Sequence, residues 1–146
     1  MNDRETEGWV VVHGPATGFA QEISIGSHRL RGDEPTVAGG TNTGPTPYDF
    51  LLAGLGSCTS MTVAMYARRK QWPLEAVTVR LRHSRIYAKD CTECETKEGM
   101  VDRIEREIAI SGALTDDQRS KLLEIANRCP VHRTLTSEIK IDSSLV

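Results

Sequence analysis

The sequence predicts an α+β fold of 146 residues in one domain, 1–146, with element order β-β-β-α-β-β-α-β. Two helices pack on mostly antiparallel sheets in such an arrangement. Three observations predict it. Gly44 to Lys70 reads as one apolar helix between a cap and a stop. Stretches of alternating polarity lie before and after it. A second capped amphipathic stretch, Asp116 to Arg128, follows the last long alternation.

The strands before the long helix come first. Trp9 to His13 is rich in β-formers. Gly14, Pro15 and Gly18 make a turn. Gln21 to Ile25 then puts Ile23 and Ile25 on one face and Glu22 and Ser24 on the other, which predicts a hairpin. Gly26-Ser27 turns the chain into a third short strand, His28 to Arg31. Residues Gly32 to Gly44 are rich in Gly, Pro, Thr and Asp and read as a loop.

The long helix starts with Thr46 as cap and Pro47 as its first residue, where proline's fixed φ fits and no N–H is wasted. Asp49 suits the first turn, Arg68, Arg69 and Lys70 suit the last, and Pro73 closes the signal. Leu51, Leu55, Cys58, Thr62 and Met65 recur at helical spacing, widened by Leu52, Val63 and Tyr66. Ala53, Gly54 and Gly56 are small and admit close approach of another backbone. Cys58 has two readings. A free cysteine on a core helix behaves as a small hydrophobe. A nucleophilic cysteine needs a cationic neighbour to hold its thiolate, and this helix offers none within reach.

Beyond Pro73, Val77, Val79 and Leu81 alternate with Thr78, Arg80 and Arg82 in a strand reaching Tyr87. Met100 to Ser111 is a second long strand, with Ile104, Ile108 and Ile110 on one face and Arg103, Glu105 and Glu107 on the other. Antiparallel pairing puts Arg80 and Arg82 beside Glu105 and Glu107 on a solvated face. Thr115 and Gln118 have capping-box spacing. The helix they open turns Leu122, Ile125, Ala126 and Cys129 inward, and Pro130 stops it. Ile139 and Ile141 alternate in a last strand, Glu138 to Asp142.

Composition excludes several classes. Charged residues make up 26% with a net charge of −2, so no basic excess exists for nucleic acid or a membrane surface. No apolar run is read as long enough to span a bilayer. Met1 to Gly8 is polar and acidic rather than a signal peptide. A cytoplasmic location is expected, where four cysteines serve as thiols, ligands or catalytic groups rather than as a disulfide framework.

The run GPTPYDFLLAGLGSCTSM, followed later by RCPVHRTL, resembles the OsmC/Ohr family, the osmotically inducible protein C and organic hydroperoxide resistance proteins. The resemblance covers about His28 to Ile141. It implies an OsmC-like fold in an intertwined homodimer whose central helices pack together, with Gly54 and Gly56 at the contact. It implies a thiol-dependent peroxidase acting on organic hydroperoxides in oxidative-stress defence. Cys58 is then the peroxidatic cysteine and Cys129 the resolving one, with an external dithiol, lipoyl-type in some members, as reductant and no cofactor. The family also uses an arginine from the N-terminal strands, held by a glutamate directly after the helix-start proline. Here Tyr48 follows Pro47 and Asp49 comes one residue late. Asp49 is the acid candidate and also a simple first-turn charge. Arg31, with Arg29 beside it, is the arginine candidate. The missing glutamate favours an alternative, a non-catalytic thiol-bearing or metal- or ligand-binding dimer of the same fold.

Cys91 and Cys94 stand at C-x-x-C spacing in the loop between the two long strands. They read first as ordinary loop thiols. A redox pair and a zinc site, with His83 as third ligand and His132 or Glu95 as fourth, are the competing readings, and no fourth ligand stands at motif spacing.

Overall fold

A computed structural model describes residues 7–146. The acidic stretch read as lacking a signal peptide lies largely outside them, at positions 1–6. The chain packs as two compact units that divide after Leu51.

The first unit is an antiparallel meander of β1 (Val10–His13), β2 (Gln21–Ile25) and β3 (His28–Gly32). Its register sets Val12 opposite Ile23 and Ile23 opposite Leu30. Strand periodicity therefore gathers Val10, Val12, Ile23, Ile25 and Leu30 on one face. With Phe19 and Phe50 they line an open apolar cavity of roughly 630 Å³.

The loop after β3 is shaped by one carboxylate. Asp33, 2% exposed, accepts the backbone N–H of Glu34 at 2.7 Å. It also accepts both hydroxyls and both N–H groups of Thr41 and Thr43. These bonds hold its pKa far below the ordinary 3.8, the Thr41 and Thr43 hydroxyls contributing most. The same loop delivers α1 (Pro47–Arg69), whose first turn closes this unit. Thr46 Oγ1 accepts the Asp49 N–H at 3.2 Å, and the Asp49 carboxylate accepts the Thr46 N–H at 2.9 Å. This reciprocal cap uses the expected residues.

The second unit holds the rest of α1, the hairpin β4 (Leu74–Tyr87) and β5 (Met100–Gly112), α2 (Asp116–Ala126) and α3 (Pro130–Leu135). The hairpin register pairs Arg80 with Glu107 and Arg82 with Glu105, as alternation predicted. The Arg80–Glu107 bridge is mostly exposed and worth tenths of a kcal/mol up to about 1. Thr115 and Gln118 form their capping box. The core is Val63 and Ala67 of α1 against Leu122 and Ala126 of α2, with Trp72, Val77 and Ile108 around them.

Four expectations are corrected. The buried stripe of α1 is Leu55, Gly56, Thr59, Val63 and Ala67, while Leu51, Met61 and Met65 are exposed. Small residues mark the buried side because the sheet lies close. A Cβ on Gly56 would stand 2.8 Å from the Leu81 side chain. Secondly, α1 is long and apolar enough by composition to cross a membrane, because alanine, cysteine and methionine raise its average without an unbroken run of large side chains. Its buried side packs on protein in this fold. Thirdly, Pro130 ends α2 but also begins α3, since proline suits a first helical position as well as a stop. Lastly, among the described residues no strand follows α3, and Ile139 and Ile141 are exposed. An alternating segment becomes a strand only when an edge accepts its backbone groups.

Asp33 has a testable signature. A folded pKa below the unfolded one gives stability that is complete above the unfolded value and is lost as pH falls toward the folded value. Asp33→Asn is expected to lower the melting temperature at pH 7. The gap to the parent should narrow below pH 3.8, the ordinary carboxyl value. Parallel melting curves from about pH 7 to about pH 2.5, limits chosen to bracket ordinary carboxylates, would contradict this.

Candidate functional site

Two free thiols meet where α1 passes the start of α3. Cys58 is half-buried and Cys129 fully buried. Cys129 caps α3, and its sulfur accepts the His132 backbone N–H at 3.3 Å. The preceding N–H, from Val131, points at the Cys58 sulfur at 3.5 Å. Two donors that a helix start leaves unpaired are thus spent on two sulfurs.

One arginine organises the surroundings. Arg106 reaches from β5 and donates through Nη1 to Thr59 Oγ1 at 3.0 Å. Its Nη2 donates to Asn127 Oδ1 at 2.8 Å and stands 3.1 Å from His132 Nδ1. Thr59, fully buried on α1, lies 3.8 Å from the Cys129 sulfur and 2.7 Å from the Leu55 carbonyl. Burial pushes the Cys129 thiol up. The His132 N–H, the Thr59 hydroxyl, the Cys58 thiol and the Arg106 charge outweigh it, so the pKa falls below the ordinary 9.0. Burial and the Arg106 charge both lower the His132 pKa, which keeps the imidazole neutral. Nδ1 then accepts from Arg106 and Nε2 carries the proton.

Cys58 and Cys129 are therefore placed side by side in the second unit. Arg31 and Asp49 belong to the first. Arg31 alternates onto the β3 face opposite the apolar cavity, in register with Glu22. Arg29 is used by its own hairpin turn, donating to the Gly26 and His28 carbonyls. The Asp49 carboxylate is engaged in the α1 cap. Sequence reading missed Arg106, Thr59 and Asn127. The available signal was Arg106 itself, a charge on the β5 face of Ile104, Ile108 and Ile110.

Cys91 and Cys94, expected as spare thiols, are joined in a disulfide with a Cα–Cα distance of 5.5 Å. That spacing lies within disulfide range, so C-x-x-C closes without moving backbone. His83, the third zinc candidate, has Nε2 2.8 Å from Asp102 Oδ1.

The OsmC-like protein family model matches residues 40–144. The chain belongs to the OsmC-like protein family. Solved structures share its fold. The OsmC-like protein of Mycoplasma pneumoniae superposes with a TM-score of 0.68 at 19% identity, over 86% of this chain and 84% of that one. The organic hydroperoxide resistance protein OsmC of Legionella pneumophila gives 0.61 at 22% identity, over 87% of each chain. The organic hydroperoxide resistance protein OhrB of Bacillus subtilis gives 0.60 at 17%, over 87% and 88%. No curated protein matches the chain significantly.

Closing a ring this small restricts the unfolded chain by about 2 kcal/mol at most. Replacing Cys91 and Cys94 together by alanine is expected to lower stability by no more than about 2 kcal/mol and to leave Cys58 and Cys129 reactive. Near-stoichiometric zinc in purified protein, found by elemental analysis, would contradict the disulfide.

Proposed function

We propose that this OsmC-like protein is a thiol-dependent peroxidase that reduces organic hydroperoxides. The observation that carries the reading is the pair of unbonded thiols, one half-exposed and one buried, side by side with an arginine network behind them. Family membership supports it, as do fold relatives from Legionella and Bacillus that bear the name organic hydroperoxide resistance protein.

The accessible sulfur is the nucleophile. The Cys58 thiolate attacks one peroxide oxygen, the O–O bond breaks, and the alkoxide takes a proton and leaves as alcohol. Cys58 is then a sulfenic acid. Cys129 attacks it, water leaves, and a Cys58–Cys129 disulfide remains. An external dithiol, of lipoyl type in this reading, restores both thiols by exchange.

The working form in this reading is a homodimer. Leu51, Met61 and Met65 are exposed on α1 beside Gly54, where an added Cβ would meet open space. Val10, Val12 and Leu30 are exposed on the meander face. Burying such surface is the usual reason for association.

One observation favours a second reading, a thiol-bearing dimer that binds a ligand without turnover. The only acid in the first turn of α1 is Asp49, and its carboxylate closes the helix cap instead of standing free to hold an arginine.

Variants separate the two. Cys58→Ser is expected to abolish hydroperoxide consumption, since serine does not ionise near neutral pH. Cys129→Ser should consume about one equivalent and stop at a sulfenic acid that a dimedone-type probe traps. Parent-like consumption by both variants would rule the peroxidase out.

A further inference from the structure

In the peroxidase reading Cys129 has one task, to attack the Cys58 sulfenic acid as a thiolate. A thiol at the ordinary pKa of 9.0 is only about 1% ionised at pH 7. Burial alone would reduce that fraction, and Cys129 is fully buried. The groups facing it can be named. α1 presents the Cys58 thiol and the Thr59 hydroxyl. α3 presents the His132 N–H and a neutral imidazole. β5 presents Arg106. Asp102 shares a groove with Arg106 and His132, but its carboxylate lies 2.8 Å from His83 Nε2 and 3.8 Å from Arg85 Nε. Arg106 is the cation of this set.

We propose that Arg106 is a positioning residue for the second half of the reaction, holding Cys129 through Thr59 as a thiolate aimed at Cys58. This rests on the peroxidase reading. The guanidinium fork ties three elements together: α1 at Thr59, the residue capping the end of α2 at Asn127, and α3 at His132. Thr59 has one hydroxyl hydrogen and two takers, the Leu55 carbonyl and the Cys129 sulfur. With Arg106 donating to the Thr59 oxygen, the O–H is polarised and bonds a charged sulfur more strongly. A lysine offers a point charge but no planar fork to span the three partners.

The step balances without an outside oxidant. An electron pair on the Cys129 sulfur attacks the Cys58 sulfur, the S–S bond forms and the S–O bond breaks. The departing hydroxide takes a proton from solvent and leaves as water. Cys129 sulfur is oxidised and Cys58 sulfur reduced.

The test has a peroxide-free arm. In a Cys58→Ser background Cys129 is the one thiol outside a disulfide, so ultraviolet thiolate absorbance titrates it alone. Adding Arg106→Gln should move the titration midpoint up. Arg106→Lys should fall between, and Thr59→Val should shift the midpoint the same way, deciding the matter if the Arg106 variant does not fold. With Cys58 present and one equivalent of cumene hydroperoxide, Arg106→Gln should form sulfenic acid at the parent's rate. It should close the disulfide about tenfold more slowly at pH 7, recovering at alkaline pH where an ordinary thiol ionises. Unshifted midpoints in Arg106→Gln or Thr59→Val overturn the proposal. If the parent never forms the Cys58–Cys129 disulfide, the peroxidase reading fails, while the thiol midpoints still decide the role of Arg106.

Discussion

The second unit depends on the fork of Arg106. A half-buried guanidinium must find acceptors, and here it finds them on three separate elements. Hydrogen bonds to a charged group are worth about 1.5–3 kcal/mol when well made, less with solvent access. More important is what they fix. Thr59 is one residue along α1 from Cys58, and His132 lies three beyond Cys129. Both residues contact the Cys129 sulfur, so setting them sets that sulfur. Removing the arginine would leave the buried Thr59 hydroxyl and the half-buried His132 imidazole without their donor.

The short helix α3 is the other half of the arrangement. Proline at its first position supplies no N–H, so the first available donors belong to Val131 and His132. Each points at a different sulfur. The Cys-Pro-Val-His sequence thus places a thiol, a helix start and two donors in four residues. The same proline, read along the sequence, looks like a stop.

Much of the fold was legible because it follows local rules. Both caps were visible as Thr46 with Asp49 and Thr115 with Gln118, and the hairpin register followed from alternation in β4 and β5. What could not be read was nonlocal. The buried side of α1 is set by small residues, Gly56, Thr59 and Ala67, that hydrophobic counting passes over. Glu138 to Asp142 alternates like a strand, but alternation does not supply an edge. The Cys58–Cys129 pairing came from resemblance to a family and not from spacing. Arg106 was hidden by its context: a charge in a strand rich in charges draws notice only when its face is checked. The expected cation, Arg31, lies on a polar strand face in the first unit, and the expected acid, Asp49, is held by its helix cap.

The central claim is that Cys58 and Cys129 react with peroxide as a pair. It is tested most directly by treating the parent protein with one equivalent of cumene hydroperoxide and mapping its disulfides by peptide mass spectrometry. The account predicts loss of both free thiols and a new Cys58–Cys129 cross-link, alongside the existing Cys91–Cys94 bond. Two thiols still free after treatment, or a new cross-link that joins either of them to Cys91 or Cys94, would contradict it.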